Sequence, residues 1–195
     1  MEKDIMELKT LLFEKPGPHN TDATLQIAHQ RALALGIKQA VVASSHGDTA
    51  RRAHALFEPA GVQVIAISIC HGYQDQGWTM SAETKAELIR LGVVVHTGVH
   101  TLGAGVGSAF SDKYGGRAPE EIVRDTLYCF SQGMKVAVEC ILMAADAGLL
   151  DTNQEVIAVA GTDSGADTAI VCKPAHPRTF HTLEIREVLA KPRIP

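Results

Sequence analysis

Apolar residues along this chain fall into two patterns: short unbroken runs, and longer stretches in which they return every three or four positions. The first fits a strand buried on both faces, the second a helix with one inward stripe. The clearest run is Ala40-Val41-Val42-Ala43, which stops at Ser44-Ser45-His46-Gly47 and re-enters helical spacing through Ala50, Ala53 and Phe57. This passage predicts a buried strand, a polar turn and a helix over Thr49–Glu58, with Ser45 or Asp48 as its N-cap.

Upstream, Leu8 to Phe13 predicts a short leading strand or arm, and the prolines and glycine of Glu14 to His19 predict a loop. Asn20 or Thr21 then caps a helix with the stripe Leu25, Ala28, Ala32 and Leu35, and Gly36 ends it. Downstream come a strand over Val62–Ile69, a loop from Cys70 to Trp78, a helix capped by Ser81 and stopped by Gly92, and a strand over Val93–His96. His96 to Gly116 is glycine-rich and is expected to be a mobile loop or a short helix that closes over a pocket. Pro119, with Glu120 and Glu121 beside it, begins a helix expected to turn Ile122, Leu127 and Phe130 inward. Met134 to Ala147 is apolar on nearly every side and belongs at the centre or in a subunit interface, which makes a homo-oligomer the expected state. Strands over Glu155–Ala160 and Thr168–Lys173 flank the loop Gly161 to Asp167, and the alternation of Phe180 to Val188 predicts an edge strand.

Strands separated by helical segments imply crossover connections and a parallel sheet with helices on both faces. The expected fold class is therefore α/β: a three-layer single domain over residues 1–195, its sheet mainly parallel, with a C-terminal antiparallel edge.

Composition narrows the function. With 195 residues, 46% of them hydrophobic, the chain can bury one substantial core. A formal charge of −4 offers no field to gather nucleic acid or an anionic membrane, so neither is an expected partner. Cys70, Cys129, Cys140 and Cys172 are widely spaced and fit buried free thiols in a reducing compartment. The N-terminus shows no leader pattern and no apolar stretch is long enough to span a membrane, so the expected location is cytoplasmic.

In a parallel sheet, ligands gather beyond the carboxyl ends of the strands. Four polar loops are expected there: Ser44 to Thr49, Cys70 to Tyr73, His96 to Thr101, and Gly161 to Asp167. In the first, hydroxyls and free backbone amides at a helix start form an anion site, unless its Ser, Asp and Thr merely cap the helix. It lacks the lysine and spacing of a P-loop. Gly103, Gly105 and Gly107 fall one residue short of a dinucleotide fingerprint, and no acidic strand end follows. His46, His71, His96 and His100 accompany these loops, but no pair stands at helical spacing on a regular element, so no metal is expected. One of them could act in acid–base chemistry with Asp163 or Asp167 as orienter.

These residues also carry a resemblance. The passage from His19-Asn20-Thr21 through Gly36-Ile37 and Ala40 to Ala50, and on to Val64-Ile65-Ala66-Ile67, resembles the C-terminal alpha/beta domain of pyruvate kinase. Over its length the chain is similar to stand-alone pyruvate kinase alpha/beta domain-like proteins, through Phe130-Ser-Gln-Gly-Met-Lys-Val-Ala-Val-Glu, Ile157-Ala-Val-Ala-Gly-Thr, Gly165-Ala-Asp-Thr-Ala and Lys173-Pro-Ala-His. The resemblance implies that fold and a phosphate-bearing ligand, with flavin mononucleotide (FMN) as the suspected cofactor. Ser44, Ser45, Gly47, Asp48 and Thr49 would take the phosphate, with His46 standing where the family carries a small hydroxyl residue. By extension His71, Gly72, Thr97, His100, Thr162, Gly165 and Asp167 would line the rest of the ligand, with Asn20 and Thr21 beside them. The resemblance does not imply kinase activity. The expected function is binding of a phosphorylated small molecule with no established catalysis; the alternatives are a metabolite-sensing regulatory module, or a hydrolase or lyase built on His71 or His100 with Asp167.

Overall fold

A strand whose alternate side chains must both stay dry can sit only between two helical layers, and the central strands of this chain meet that condition. The computed structural model describes residues 5–194; the first four positions, part of the stretch expected to carry no leader, lie outside them. In order, the elements are β1 (Leu11–Phe13), α1 (Thr21–Leu35), β2 (Gln39–Ala43), α2 (Asp48–Phe57), β3 (Gln63–Ser68), α3 (Ala82–Leu91), β4 (Val94–Thr97), α4 (Val106–Tyr114), α5 (Pro119–Tyr128), α6 (Gln132–Asp146), β5 (Val156–Ala160), β6 (Thr168–Lys173) and β7 (Glu184–Pro192). Short 3₁₀ turns occupy Pro18–Asn20, Glu58–Ala60, His71–Gln76 and Pro177–Thr182.

The strands form one seven-stranded sheet in the order β1-β7-β6-β5-β2-β3-β4. Only β6 opposes its neighbours; every other adjacent pair is parallel. The period-2 alternation splits the sheet's side chains between two cores. Val42, Val64, Ala66, Ile157 and Val159 pack with Leu25, Ala28 and Ala32 of α1, Ala50, Ala53 and Phe57 of α2, and Leu88 of α3. Val41, Ile65, Ile67, Val156 and Ala158 pack on the opposite face against α6 through Val138, Ile141, Leu142 and Ala145, with Leu127 of α5 beyond. The nearly all-apolar α6 is thus central within the chain itself. Gly36 and Gly92 end α1 and α3 in the left-handed conformation, and the Ser81 hydroxyl caps α3 by accepting the Thr84 amide at 3.1 Å.

Several expectations are corrected. The last strand runs over Glu184–Pro192, since Phe180 belongs to a 3₁₀ turn, and it is not the edge: β1 pairs outside it along Ala190 to Pro192. The alternation arose because the first half of β7, from Glu184 to Arg186, has no outer neighbour and stays exposed. In α5 the inward pair is Val123 and Leu127, whereas Ile122 and Phe130 are more than half exposed. Cys140 and Cys172 are buried, but Cys129 is exposed at the end of α5. Neither Asn20 nor Thr21 caps α1 with its side chain, because the 3₁₀ turn already supplies the entry; Asn20 Nδ2 donates to Lys15 O at 2.8 Å and Thr21 Oγ1 to Pro18 O at 2.6 Å.

One buried carboxylate ties the N-terminal arm to the β5–β6 hairpin. Asp167, fully buried, opens the way into β6. Its Oδ2 accepts the amides of Gly17 at 3.0 Å and Thr162 at 3.2 Å, and its Oδ1 accepts the Thr168 hydroxyl at 2.9 Å. Thr21 Oγ1 in turn accepts the Ala166 amide at 3.0 Å. Gly165 lets the hairpin pass: its φ is +68°, and a Cβ there would stand 2.6 Å from Pro18 Cα. A carboxylate that accepts several amides is stable when buried, whereas losing an acceptor leaves those donors unpaired.

Two stability predictions follow from this packing. Asp167→Asn, which replaces one acceptor oxygen by a donor, is expected to cost about 1–3 kcal/mol in urea unfolding; an unchanged midpoint would show the ties to be dispensable. Phe57→Ala, which empties a fully buried site whose ring meets His29 edge-on at 5.4 Å, is expected to cost about 3–5 kcal/mol with an unchanged denaturant slope.

Candidate functional site

The chain steps from β2 to β3 to β4 in one direction across the sheet and then returns through α4, α5 and α6 to place β5 on the other side of β2. The connections leaving the carboxyl ends of β2 and β5 therefore diverge, and the sheet opens there. The four predicted loops all lie at this end.

The start of α2 is the first feature. Gly47 is its N-cap, with φ of +93°, and a Cβ at that position would lie 2.5 Å from Thr84 Cγ2. Ser45 and Asp48 do not cap the helix. That role falls to buried Ser44, whose hydroxyl accepts the Ala50 amide at 3.2 Å because the turn folds back over the helix start. The amides of Asp48 and Thr49 have no acceptor among the described residues. His46 and Asp48 are exposed at the rim, Ser45 half-buried and Thr49 buried. Arg51, one turn on, grips Glu87 with two hydrogen bonds of 2.7 Å and reaches Asp48 at 3.1 Å. This cation was not among the expected site residues; its signal was the i, i+3 spacing from Asp48.

A second group of predicted residues does come together, but on one another. Thr21, Thr162, Gly165 and Asp167, with Asn20 behind them, make up the knot that joins the N-terminal arm to the β5–β6 hairpin, and their polar atoms answer one another there. Among the described residues Asp167 makes its hydrogen bonds to the Gly17 and Thr162 amides and the Thr168 hydroxyl and none to a histidine, and Asp163 is exposed with φ of +64°.

The carboxylate that does stand beside a histidine is Glu139. It lies on α6, 3% exposed, and its Oε2 is 4.0 Å from His100 Nδ1. Its Oε1 accepts the Leu102 amide at 2.8 Å, and its Oε2 accepts the ammonium of Lys135, itself 7% exposed. Burying two charges is costly unless each finds its partner, which this pair does. Sequence reasoning missed both residues, although two opposite charges at i, i+4 inside an otherwise apolar helix were the available signal. The other ring nitrogen of His100, Nε2, accepts the Cys70 amide at 3.3 Å. Burial draws the His100 imidazole below its ordinary range; Glu139 opposes that shift and Lys135 adds to it. Tyr73 stacks on His100 at 6.0 Å and on half-exposed Trp78 at 5.5 Å, so three flat rings stand in a row.

The remaining candidates are scattered. His71 and Gly72 are exposed on the 3₁₀ turn, and the Thr97 hydroxyl bonds Ser68 between β4 and β3. His96 lines a groove of about 360 Å³ between the β4–α4 loop and the C-terminal half of α6, with Thr101, Met143 and Asp146. Burial, helped by Lys85, lowers its imidazole as well. A second concavity lies between α1 and α2, lined by Asp22 and Arg52. Neither takes in Ser44 to Thr49. Among the described residues no group of three or more His, Cys, Asp and Glu side chains is placed to hold a metal ion, and no helix is long and apolar enough to cross a membrane.

Comparison with known proteins bears on the fold. Three solved structures of pyruvate kinase from Cryptosporidium parvum, one of them in complex with ADP, resemble this chain at 15 to 16% identity with TM-scores of 0.40, 0.39 and 0.37. They match 80 to 83% of this chain, which spans only 23 to 24% of theirs. The family described as pyruvate kinase, alpha/beta domain, matches residues 22–172, from the first turn of α1 to the end of β6. On that match, which takes in both helical layers and the sheet's opening at β2 and β5, the chain belongs to the pyruvate kinase alpha/beta domain family.

Proposed function

We propose that this protein binds a phosphorylated small molecule, with its phosphate against the start of α2. The observation that carries this reading is the pair of uncapped amides, Asp48 and Thr49, at a helix start beside the sheet's opening. Such amides, at the positive end of the helix dipole, favour an anion. Gly47 supports the reading because its φ of +93° disfavours a side chain and keeps the backbone bare at the helix start. Ser45 and His46 add donors at the rim. Arg51 supplies a cation next to Gly47, held by Glu87 and Asp48, and an arriving phosphate would compete with Asp48 for its Nη1.

FMN is the specific candidate, since the resemblance suggests it and the half-exposed Trp78 with Tyr73 offers a flat apolar surface of the kind an isoalloxazine stacks on. The reading is one of binding. Any redox chemistry would come from the flavin, with the protein supplying orientation. The regulatory alternative, a domain that senses the ligand and does no chemistry, is supported by the oxygens of Asp167 being bonded to two backbone amides and a hydroxyl.

The test is binding by calorimetry and thermal shift, with FMN, riboflavin and inorganic phosphate as separate probes. FMN at a hundredfold its Kd is expected to stabilise the protein by about 2.7 kcal/mol, and riboflavin far less. Gly47→Ala is expected to weaken FMN at least tenfold while the α/β circular dichroism spectrum is kept. Protein that is colourless on purification and unshifted by FMN would end the flavin assignment; equal response to riboflavin would end the phosphate assignment.

A further inference from the structure

The two nitrogens of His100 face opposite demands. Because Nε2 accepts the Cys70 amide at 3.3 Å, it carries no hydrogen in this arrangement, and the ring N–H is assigned to Nδ1, which faces Glu139 at 4.0 Å. This one ring thus joins three parts of the chain: the segment after β3 through Cys70, α6 through Glu139, and the β4–α4 loop to which it belongs. The same segment stacks Tyr73 against the imidazole at 6.0 Å, 30° from parallel, and Trp78 against Tyr73 at 5.5 Å, 22° from parallel. Its own residues from His71 to Gln76 are mostly exposed and form a kinked 3₁₀ turn, with few anchors of their own.

We propose that His100 is a proton-operated latch: its neutral ring holds the Cys70–Trp78 segment against the β4–α4 loop, and protonation at Nε2 releases that segment. A proton on Nε2 sets N–H against the N–H of Cys70, two donors with no acceptor between them, so the contact cannot persist. The resulting imidazolium is drawn by Glu139, whose Oε2 is already taken by Lys135. The titratable groups around the ring are Glu139 and Lys135 from α6, and the Cys70 thiol and Tyr73 phenol from the segment itself. His71 on that segment and His96 on β4 are the other imidazoles at this end of the sheet.

The sign of the pH dependence follows. Burial lowers the His100 imidazole in the closed form, against the pull of Glu139, so the open form binds more protons. Closure is therefore fully favoured above the ordinary imidazole value of about 6.5 and is lost as pH falls below it. The latch is independent of the phosphate reading and needs no ligand.

Trp78 is the only tryptophan in the chain and reports directly on the segment. In the unliganded protein, its emission is expected to shift to the red in a single step as pH falls, with a midpoint below about 6.5 and an unchanged far-ultraviolet circular dichroism spectrum. His100→Gln, which can still accept the Cys70 amide but cannot titrate, is expected to abolish the step. His71→Gln should keep it. Hydrogen exchange at the Cys70 amide should lose its protection over the same interval. A wild-type protein with no step overturns the latch, as does a step that survives in His100→Gln or disappears in His71→Gln. If His100→Gln does not fold, exchange at the Cys70 amide decides; protection that stays constant over the interval overturns the proposal.

Discussion

The structure depends on a sheet that is dry on both faces. Once β2, β3, β5 and β6 are sandwiched between α1, α2 and α3 on one side and α6 on the other, polar groups along those strands have nowhere to go except the strand ends. The same burial makes the interior thiols inert: desolvation pushes Cys172 up to about 12 and Cys140 higher still. Polar groups are thereby gathered in the loops at the carboxyl ends, and the order of the strands opens those loops between β2 and β5.

Three buried or half-buried polar sets at that end meet the same problem in different ways. Asp167 is satisfied by backbone amides and a hydroxyl, so its charge costs little and serves the fold. Glu139 is satisfied by an amide and a lysine, which leaves it coupled to whatever His100 does. At the start of α2 the third amide of the first turn is met by Ser44, and the two before it have no acceptor among the described residues. The first set is closed on itself, the second is the one proposed to respond to protons, and the third is the one proposed to take an anion. That division, more than the presence of histidines or aspartates, separates structural from functional chemistry here.

Arg51 tempers the anion reading in a physically specific way. Its bidentate bond to Glu87 and its bond to Asp48 place one positive and two negative side chains at the helix start, so the proposed phosphate would rely on amides and would have to displace a carboxylate. Selectivity at such a site comes from the shape around Gly47 as much as from charge.

Much of the architecture was legible in local pattern. The run Ala40 to Ala43, the glycine stops at Gly36 and Gly92, the Ser81 cap and Pro119 at a helix start each depend on neighbours within one turn, and each is where the pattern put it. The family resemblance was legible too, because it rests on motifs spread along the chain. What periodicity could not decide is which partner a face meets. Ile122 and Val123 are adjacent and equally apolar, and only the position of α6 selects Val123. The place of β7 inside the sheet depends on β1, more than 170 residues earlier, as the Thr10 hydroxyl bond to Val188, at a separation of 178, makes plain. Gly17 and Asp167 meet across 150 residues, and Leu102 meets Glu139 across 37. The sequence by itself determined the elements, their alternation and the glycine at the start of α2, because those follow from steric and hydrogen-bonding rules within a few residues. Only the tertiary structure decided which carboxylate is a tie, which faces an imidazole and which amides stay open, because a charged side chain takes its role from distant groups that chain closure brings beside it.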